Sequence, residues 1–280
     1  MIITVASGKG GTGKTTVATN LAVAVETDVQ LLDCDVEEPN AHLFLNPEIT
    51  ETITVTTPVP EIDRDKCTMC GECESICEFK AIVVLEDTVL TFPEMCHGCG
   101  GCTAVCPAAA VTEIGREVGV IETGHRKGVA FGHGRLRIGE AMSPPLIKKV
   151  RALALPGRFT IIDAPPGTSC PVIAAMKGVD FVLLVTEPTP FGLHDLKLAV
   201  GAVKLLGIPH GLVINRADLG DRLVHAYAEK ENIPILMEIP FDRRVAEAYS
   251  DGHLIVETGS EWKEAFRQLY RSIIAASGKE

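Results

Sequence analysis

Two stretches of this 280-residue chain carry residues whose types and spacing can do chemistry. The first is Gly8-Lys9-Gly10-Gly11-Thr12-Gly13-Lys14-Thr15, which fits G-x-x-x-x-G-K-[ST] and is followed by Thr16. Glycines there let backbone N–H groups close around phosphate oxygens, and the positive end of the following helix adds to the attraction. In such a loop the lysine, Lys14, reaches the β- and γ-phosphates, and the Thr15 hydroxyl faces Mg²⁺. A carboxylate must serve the metal from nearby. Asp163 closes the apolar run Phe159–Ile162 and opens Ala164-Pro165-Pro166-Gly167-Thr168, a segment suited to sensing a γ-phosphate. The second stretch is Cys67-x2-Cys70-x2-Cys73-x3-Cys77, repeated 29 residues later as Cys96-x2-Cys99-x2-Cys102-x3-Cys106-Pro107. It holds eight of the ten cysteines, and thiolates in this density bind soft metal.

Triple x2 spacing in both halves favours iron–sulfur clusters over structural zinc, which takes four thiolates commonly as separated pairs. It is the spacing of bacterial ferredoxins with two [4Fe–4S] clusters, where the fourth cysteine of each run serves the other cluster. That resemblance implies Cys67, Cys70, Cys73 and Cys106 for one cluster, and Cys77, Cys96, Cys99 and Cys102 for the other. Pro107 follows the last ligand as the ferredoxin pattern expects, but Glu78 stands at the equivalent place after Cys77, so a different turn is expected there. His97, between two ligands, reads as an exposed or capping residue. Residues 61–115 carry ten acidic and three basic side chains, which favours oxidised clusters and low potentials.

The elements that must position these groups follow from apolar periodicity. Ile2–Ala6 reads as a strand, the glycine loop as its exit, and 14–25 as a helix; Val29–Leu32 is a second strand ending in Asp33 and Asp35. Strand-like runs recur at Phe159–Ile162, Phe181–Val185, Gly211–Ile214 and Ile235–Ile239, with helix-length segments near 170–178, 191–206 and 221–231 between them. Strands alternating with helices predict an α/β fold, doubly wound around a mostly parallel sheet. The cysteine-rich segment interrupts this rhythm. The expected organisation is therefore an ATPase domain of residues 1–60 and 115–280, with an inserted ferredoxin-like domain at 61–114. Seven glycines in 115–139 suggest hairpins or an extended connector, with His125 and His133 on their surface. Trp262, Phe266, Leu269, Tyr270, Ile273 and Ile274 recur at helical spacing and read as a core-packing terminal helix, not a membrane anchor.

Composition excludes some functions. Formal charge is −11, from 37 acidic and 26 basic residues, which disfavours a nucleic-acid partner. No signal peptide or spanning run of apolar residues is evident, so a cytoplasmic protein without a membrane partner is expected, and clustered cysteines there bind metal more often than they form disulfides.

Lys9-Gly10-Gly11-Thr12-Gly13-Lys14-Thr15 resembles the deviant Walker A motif of the MinD/ParA/nitrogenase-iron-protein ATPases. Asp33-Cys34-Asp35, Asp163-Ala164-Pro165-Pro166-Gly167-Thr168 (closest to the Mrp/Nbp35 branch), Asn215-Arg216 and Ile239-Pro240-Phe241-Asp242 resemble further motifs of that group. The resemblance spans nearly all of 1–60 and 115–280. It implies a dimer, either of identical chains or with a paralogue, in which Lys9 reaches the partner's phosphates. It also implies Asp33 as the orienter of the attacking water, Asp35 and Asp163 as servants of Mg²⁺, and Asn215, Arg216, Pro240 and Asp242 near the adenine. Cys34 reads as a packed small hydrophobe. Cys170 lies where the nitrogenase iron protein has a cysteine that helps hold a cluster between subunits; here it is either structural or a transient metal or cluster ligand.

The implied activity is hydrolysis of ATP with Mg²⁺. What hydrolysis drives has three readings: electron transfer through two [4Fe–4S] clusters to a redox partner, assembly and delivery of an iron–sulfur or metal cofactor to an accepting protein, and spatial organisation of MinD type. The first leads on the presence of both motif sets in one chain, and the third comes last because the C-terminus has no basic face.

Overall fold

The computed structural model describes residues 1–25 and 28–279. The strand-sized apolar runs are buried strands. In chain order β1 (Ile2–Ala6) leads through the glycine loop to α1 (Lys14–Val25), then β2 (Val29–Asp33), α2 (Ala41–Leu45) and β3 (Glu48–Ile62). The cysteine-rich segment holds α3 (Glu72–Ser75), β4 (Ile82–Val84), β5 (Val89–Thr91) and α4 (Gly101–Val105). The chain continues through β6 (Val111–Arg126), β7 (Val129–Leu136), α5 (Pro144–Arg151), β8 (Phe159–Asp163), α6 (Cys170–Met176) and β9 (Phe181–Thr186). It closes with α7 (Pro190–Leu205), β10 (His210–Asn215), α8 (Leu223–Glu231), β11 (Ile235–Ile239), α9 (Arg243–Ser250) and α10 (Ser260–Ser277).

Among the described residues nine strands form one sheet in the order β11-β10-β9-β1-β8-β2-β7-β6-β3, parallel from β11 to β7 and antiparallel beyond. Both faces are covered, which is why the central strands read as unbroken apolar runs. Ile3, Leu31 and Ile161 face a core built with α1 and α10, while Leu32, Ile162 and Leu184 face one built with α5 to α8. Phe266, Leu269 and Ile273 of α10 are buried in the first core, as the helical spacing predicts. Among the described residues no helix is long and apolar enough to cross a membrane.

The sequence reading assigns no strand to 48–62. Its repeated threonines and largely exposed face hide the apolar signal, yet β3 pairs with β6 from Glu48↔His125 to Ile62↔Val111. This long ribbon ends where the cysteine-rich segment begins and ends. His133 also departs from expectation. It is 3% exposed, because β7 lies between β2 and β6 and not at a free edge; His125, near the ribbon's other end, is exposed.

Candidate functional site

The carboxyl ends of β1, β8, β2 and β10 converge on the glycine loop. Gly13 has φ +96°, a left-handed conformation that favours glycine, and a Cβ there would lie 2.6 Å from Asn215 Nδ2. That same Nδ2 donates to the Thr12 carbonyl oxygen at 2.9 Å, so Asn215 braces the loop. Gly8 is needed for a different reason: a Cβ would sit 2.2 Å from the Asp195 carbonyl oxygen of α7. The loop lines a cleft of about 390 Å³ with Gly10, Gly11, Gly13, Lys14, Thr15 and Thr16 on one wall. Asp35, Pro166, Asn215, Arg216, Pro240 and Asp242 stand on the others.

Burial pushes the Asp163 carboxyl up to about 7, with Asp35 adding to the rise while the Lys14 charge and the Thr15 hydroxyl pull it back. Neither Asp163 oxygen has a well-formed hydrogen bond, though the side chain is fully buried. A buried, unpartnered carboxylate beside Thr15 fits a Mg²⁺ ion or its waters. Asp35 rises to about 6, chiefly through burial and against the opposing charge of Lys14.

Asp33 sits directly opposite Asp163 in the register of β2 and β8. Its side chain is fully buried, does not line the cleft, and accepts backbone N–H bonds from Asp35 (3.0 Å), Asn40 (3.1 Å) and Ala41 (3.0 Å). Burial and the nearby Asp163 raise it well above the usual carboxylate range. It shapes the 35–41 loop that borders the cleft. Lys9 pairs with Glu187 at 3.7 Å, and Arg216 holds the same carboxylate at 2.9 Å. Asp242 caps α9 by accepting from the Arg244 N–H at 2.8 Å, and the Arg244 guanidinium holds its carboxyl low. Sequence reasoning missed Glu38, Asn40 and Tyr249 on the cleft walls; no motif marks them. Cys34 is buried in the core, and Cys170 is exposed at the first turn of α6, seven residues past Asp163.

In the cysteine-rich segment the 29-residue repeat extends to the backbone. Met69 and Gly98, Gly71 and Gly100, and Lys80 and Ala109 are pairs 29 residues apart, and all six have positive φ. Gly71 and Gly100 each precede a short helix, α3 and α4. The Ala81 N–H donates to Cys77 Sγ and the Ala110 N–H to Cys106 Sγ, both at 3.3 Å. The turn after Cys77 was expected to differ because Glu78 replaces proline; instead both turns close alike, with N–H···O bonds of 3.2 Å from Lys80 to Cys77 and from Ala109 to Cys106. Proline is thus not required for that turn.

Cys67, Cys70, Cys73 and Cys106 line one small cavity walled by Ile62, Val84 and Val111. A Cβ at Gly101 would meet Cys99 Sγ and Ile76, each at 3.6 Å, so the Cys99 loop and the residue before Cys77 adjoin. Burial raises the Cys73 and Cys102 thiols, whereas the Ala110 N–H lowers Cys106. Among the described residues no three His, Cys, Asp or Glu side chains converge on a single ion. Thiols around an apolar cavity with N–H···S bonds suit a cubane, in which each thiolate meets a different iron. His97 is exposed and stacks on Phe79 with ring centres 3.5 Å apart.

Comparison with known proteins shows the family. Over residues 3–255 the chain matches the model of the CobQ/CobB/MinD/ParA nucleotide binding domain. An uncharacterized protein of Methanocaldococcus jannaschii is 32% identical over 98% of this chain and 96% of its own length. An iron–sulfur cluster carrier protein of Aquifex aeolicus is 27% identical over 96% of this chain and 65% of its own length. The septum site-determining protein MinD of Pyrococcus horikoshii, solved with Mg-ADP, superposes with a TM-score of 0.63 at 22% identity, covering 99% of this chain and 97% of that one. The chain therefore belongs to the CobQ/CobB/MinD/ParA family and is a P-loop ATPase.

Proposed function

We propose that the chain uses Mg-ATP binding and hydrolysis to load and deliver an iron–sulfur cluster or related metal cofactor to an accepting protein. The observation that carries this reading is the exposed thiol of Cys170, which opens α6 directly after the loop that starts at Asp163. A loop that responds to the γ-phosphate there moves a metal-binding thiol at the surface. One thiol cannot hold a cluster, so the reading requires a dimer, with Cys170 from each copy and the remaining ligands from sulfide, small thiols or the acceptor. Lys9 would leave Glu187 and cross to the second copy. The 27% identical carrier protein supports the same reading. Asp163, Thr15 and Asp35 would serve Mg²⁺, Lys14 and the loop amides would neutralise phosphate, and Asn215, Arg216, Pro240 and Asp242 would border the base. Asp33 would act by holding the 35–41 loop.

In this reading the eight cysteines hold two resident [4Fe–4S] clusters within a domain of about residues 61–114, distinct from the cargo. Their backbone repeat favours a second reading, in which the two clusters pass electrons to a partner under ATP control. One experiment separates the readings. The protein is reconstituted anaerobically with iron and sulfide, iron is counted, and transfer to an apo-acceptor is followed with and without ATP. The carrier reading expects iron above the roughly eight atoms of two cubanes, an excess lost in Cys170→Ser, and transfer that ATP accelerates. Eight irons unaffected by Cys170→Ser, with midpoint potentials that shift between ADP and a non-hydrolysable ATP analogue, would establish electron transfer instead.

A further inference from the structure

A cleft of about 750 Å³ lies beside the nucleotide site and is used by nothing described so far. The loop after β2 and the start of α2 wall both: Asp35, Glu38 and Asn40 face the nucleotide cleft, while Glu37, Pro39 and His42 face this one. Its far side is the β6–β7 hairpin, with Glu122 and His133. Strand register puts Asp163, Asp33, His133 and Glu122 in one row across β8, β2, β7 and β6, and residues directly opposite share a sheet face.

His133 is 3% exposed, and its Nε2 lies 2.8 Å from Glu122 Oε2. A neutral imidazole that donates from Nε2 keeps a lone pair on Nδ1. That Nδ1 is buried and has no partner, and the same holds for Nδ1 of His42. The two ring centres are 5.0 Å apart at 63°. Two imidazoles that share an ion at about 2.1 Å per nitrogen have ring centres roughly 5 Å apart. Burial lowers the pKa of both, keeping them in the neutral form that binds metal. A histidine whose second nitrogen is held by a carboxylate is the usual arrangement of a metal ligand and its outer partner.

We propose that His42 and His133 form an exchangeable docking site for one borderline divalent transition-metal ion, of the Zn²⁺ or Co²⁺ type, with Glu122 orienting His133. No third His, Cys, Asp or Glu joins the pair among the described residues, so the other coordination positions fall to water or an incoming ligand. Such a site favours exchange over permanent structure. Around it Glu37, Glu117 and Glu122 face Arg135 and Arg137, so recognition rests on the imidazoles and not on bulk charge.

The test uses the cluster-containing protein under anaerobic conditions, dialysed against Zn²⁺ alone, with zinc and iron counted together and the zinc environment read by X-ray absorption. Expected is one zinc per chain with imidazole ligation and unchanged iron. His42→Ala, at a half-buried position, should weaken binding at least tenfold, and Glu122→Gln about tenfold. Sulfur-only ligation of zinc, or zinc affinity unchanged in His42→Ala, would overturn the proposal. His133→Gln serves as a second variant, accepted only if its iron content and metal-free ATPase rate match those of the parent.

Discussion

The nucleotide-binding core and the cysteine-rich segment are held together by different physics. In the core both sheet faces are buried under helices, and side chains such as Leu21, Ile161 and Phe181 are fully enclosed. In residues 63–110 and the strand ends beside them, the apolar cluster has four buried members, Cys73, Ile82, Val89 and Val111, while Phe79, Leu85, Phe92 and Met95 stay exposed. A segment of this size lies near the limit at which metals or cross-links must supplement burial. The core therefore forms its nucleotide site without help, while the segment would depend on the metal proposed for it.

The largest expected effect breaks the two apart. Stripping metal with a chelator, or replacing Cys73 by Ser, should abolish hydrogen-exchange protection across 63–110 and leave β1, β8 and β9 protected, because metal binding there is also folding energy. The melting temperature of the core should move by no more than about 4 °C, the effect of about 1 kcal/mol at this size. Collapse of sheet protection along with the segment would mean that the two regions fold as one.

The reverse cut comes next. Lys14→Ala removes a buried cation from the Asp163 and Asp35 carboxylates and from the phosphates. ATP turnover should fall by at least about 100-fold, the scale for losing one group that stabilises developing charge. Iron content should not change. An ATPase rate within tenfold of the parent would displace Lys14 from the site.

A third, smaller effect is pH dependence confined to the core. Burial raises the folded-state pKa values of Asp163 and Asp35 to about 7 and about 6, both above the ordinary aspartate value of 3.8. Raised carboxylates favour the metal-free fold most where they are protonated, so their contribution is full below about pH 4 and is lost as pH rises through 6 to 7. Asp163→Asn, which cannot ionise, should gain stability relative to the parent between pH 5 and pH 8 in Mg²⁺-free buffer. Mg²⁺ should restore the parent selectively at pH 8. A difference between the two melting temperatures that does not vary with pH would show that Asp163 is not buried in solution.

Legibility in the sequence follows the same division. Core strands were readable because a parallel sheet buried on both faces turns into apolar runs, and Ile235–Ile239 and Lys14–Val25 have the bounds their residues predict. The Cys67 to Cys106 spacing was readable because ligand geometry constrains sequence locally. The β3–β6 ribbon was not, since threonine and glutamate on an exposed face carry little periodicity. Nor was the use of Asp33 by the 35–41 backbone, or the burial of His133: both depend on partners distant in sequence or on hydrogen bonds that no motif encodes.

The smallest expected effect concerns a contact at the rim of the core. Lys9 sits against Glu187, whose carboxylate also takes Arg216, so the lysine proposed to cross to a second copy is held at home. Lys9 is partly exposed, which limits the pair to about 1 kcal/mol or less. Glu187→Gln should release it and raise the ATP turnover of the dimer roughly two- to fivefold. The gain should vanish in Lys9→Ala, whether or not Glu187 is changed, because no lysine is then left to release. Sedimentation with a non-hydrolysable ATP analogue should show tighter self-association of Glu187→Gln by a similar factor. If turnover and association match the parent, the Lys9–Glu187 pair is an incidental surface contact and the resting position of Lys9 is set elsewhere in the loop, by the Ser7 hydroxyl that donates to the Lys9 carbonyl oxygen at 2.6 Å.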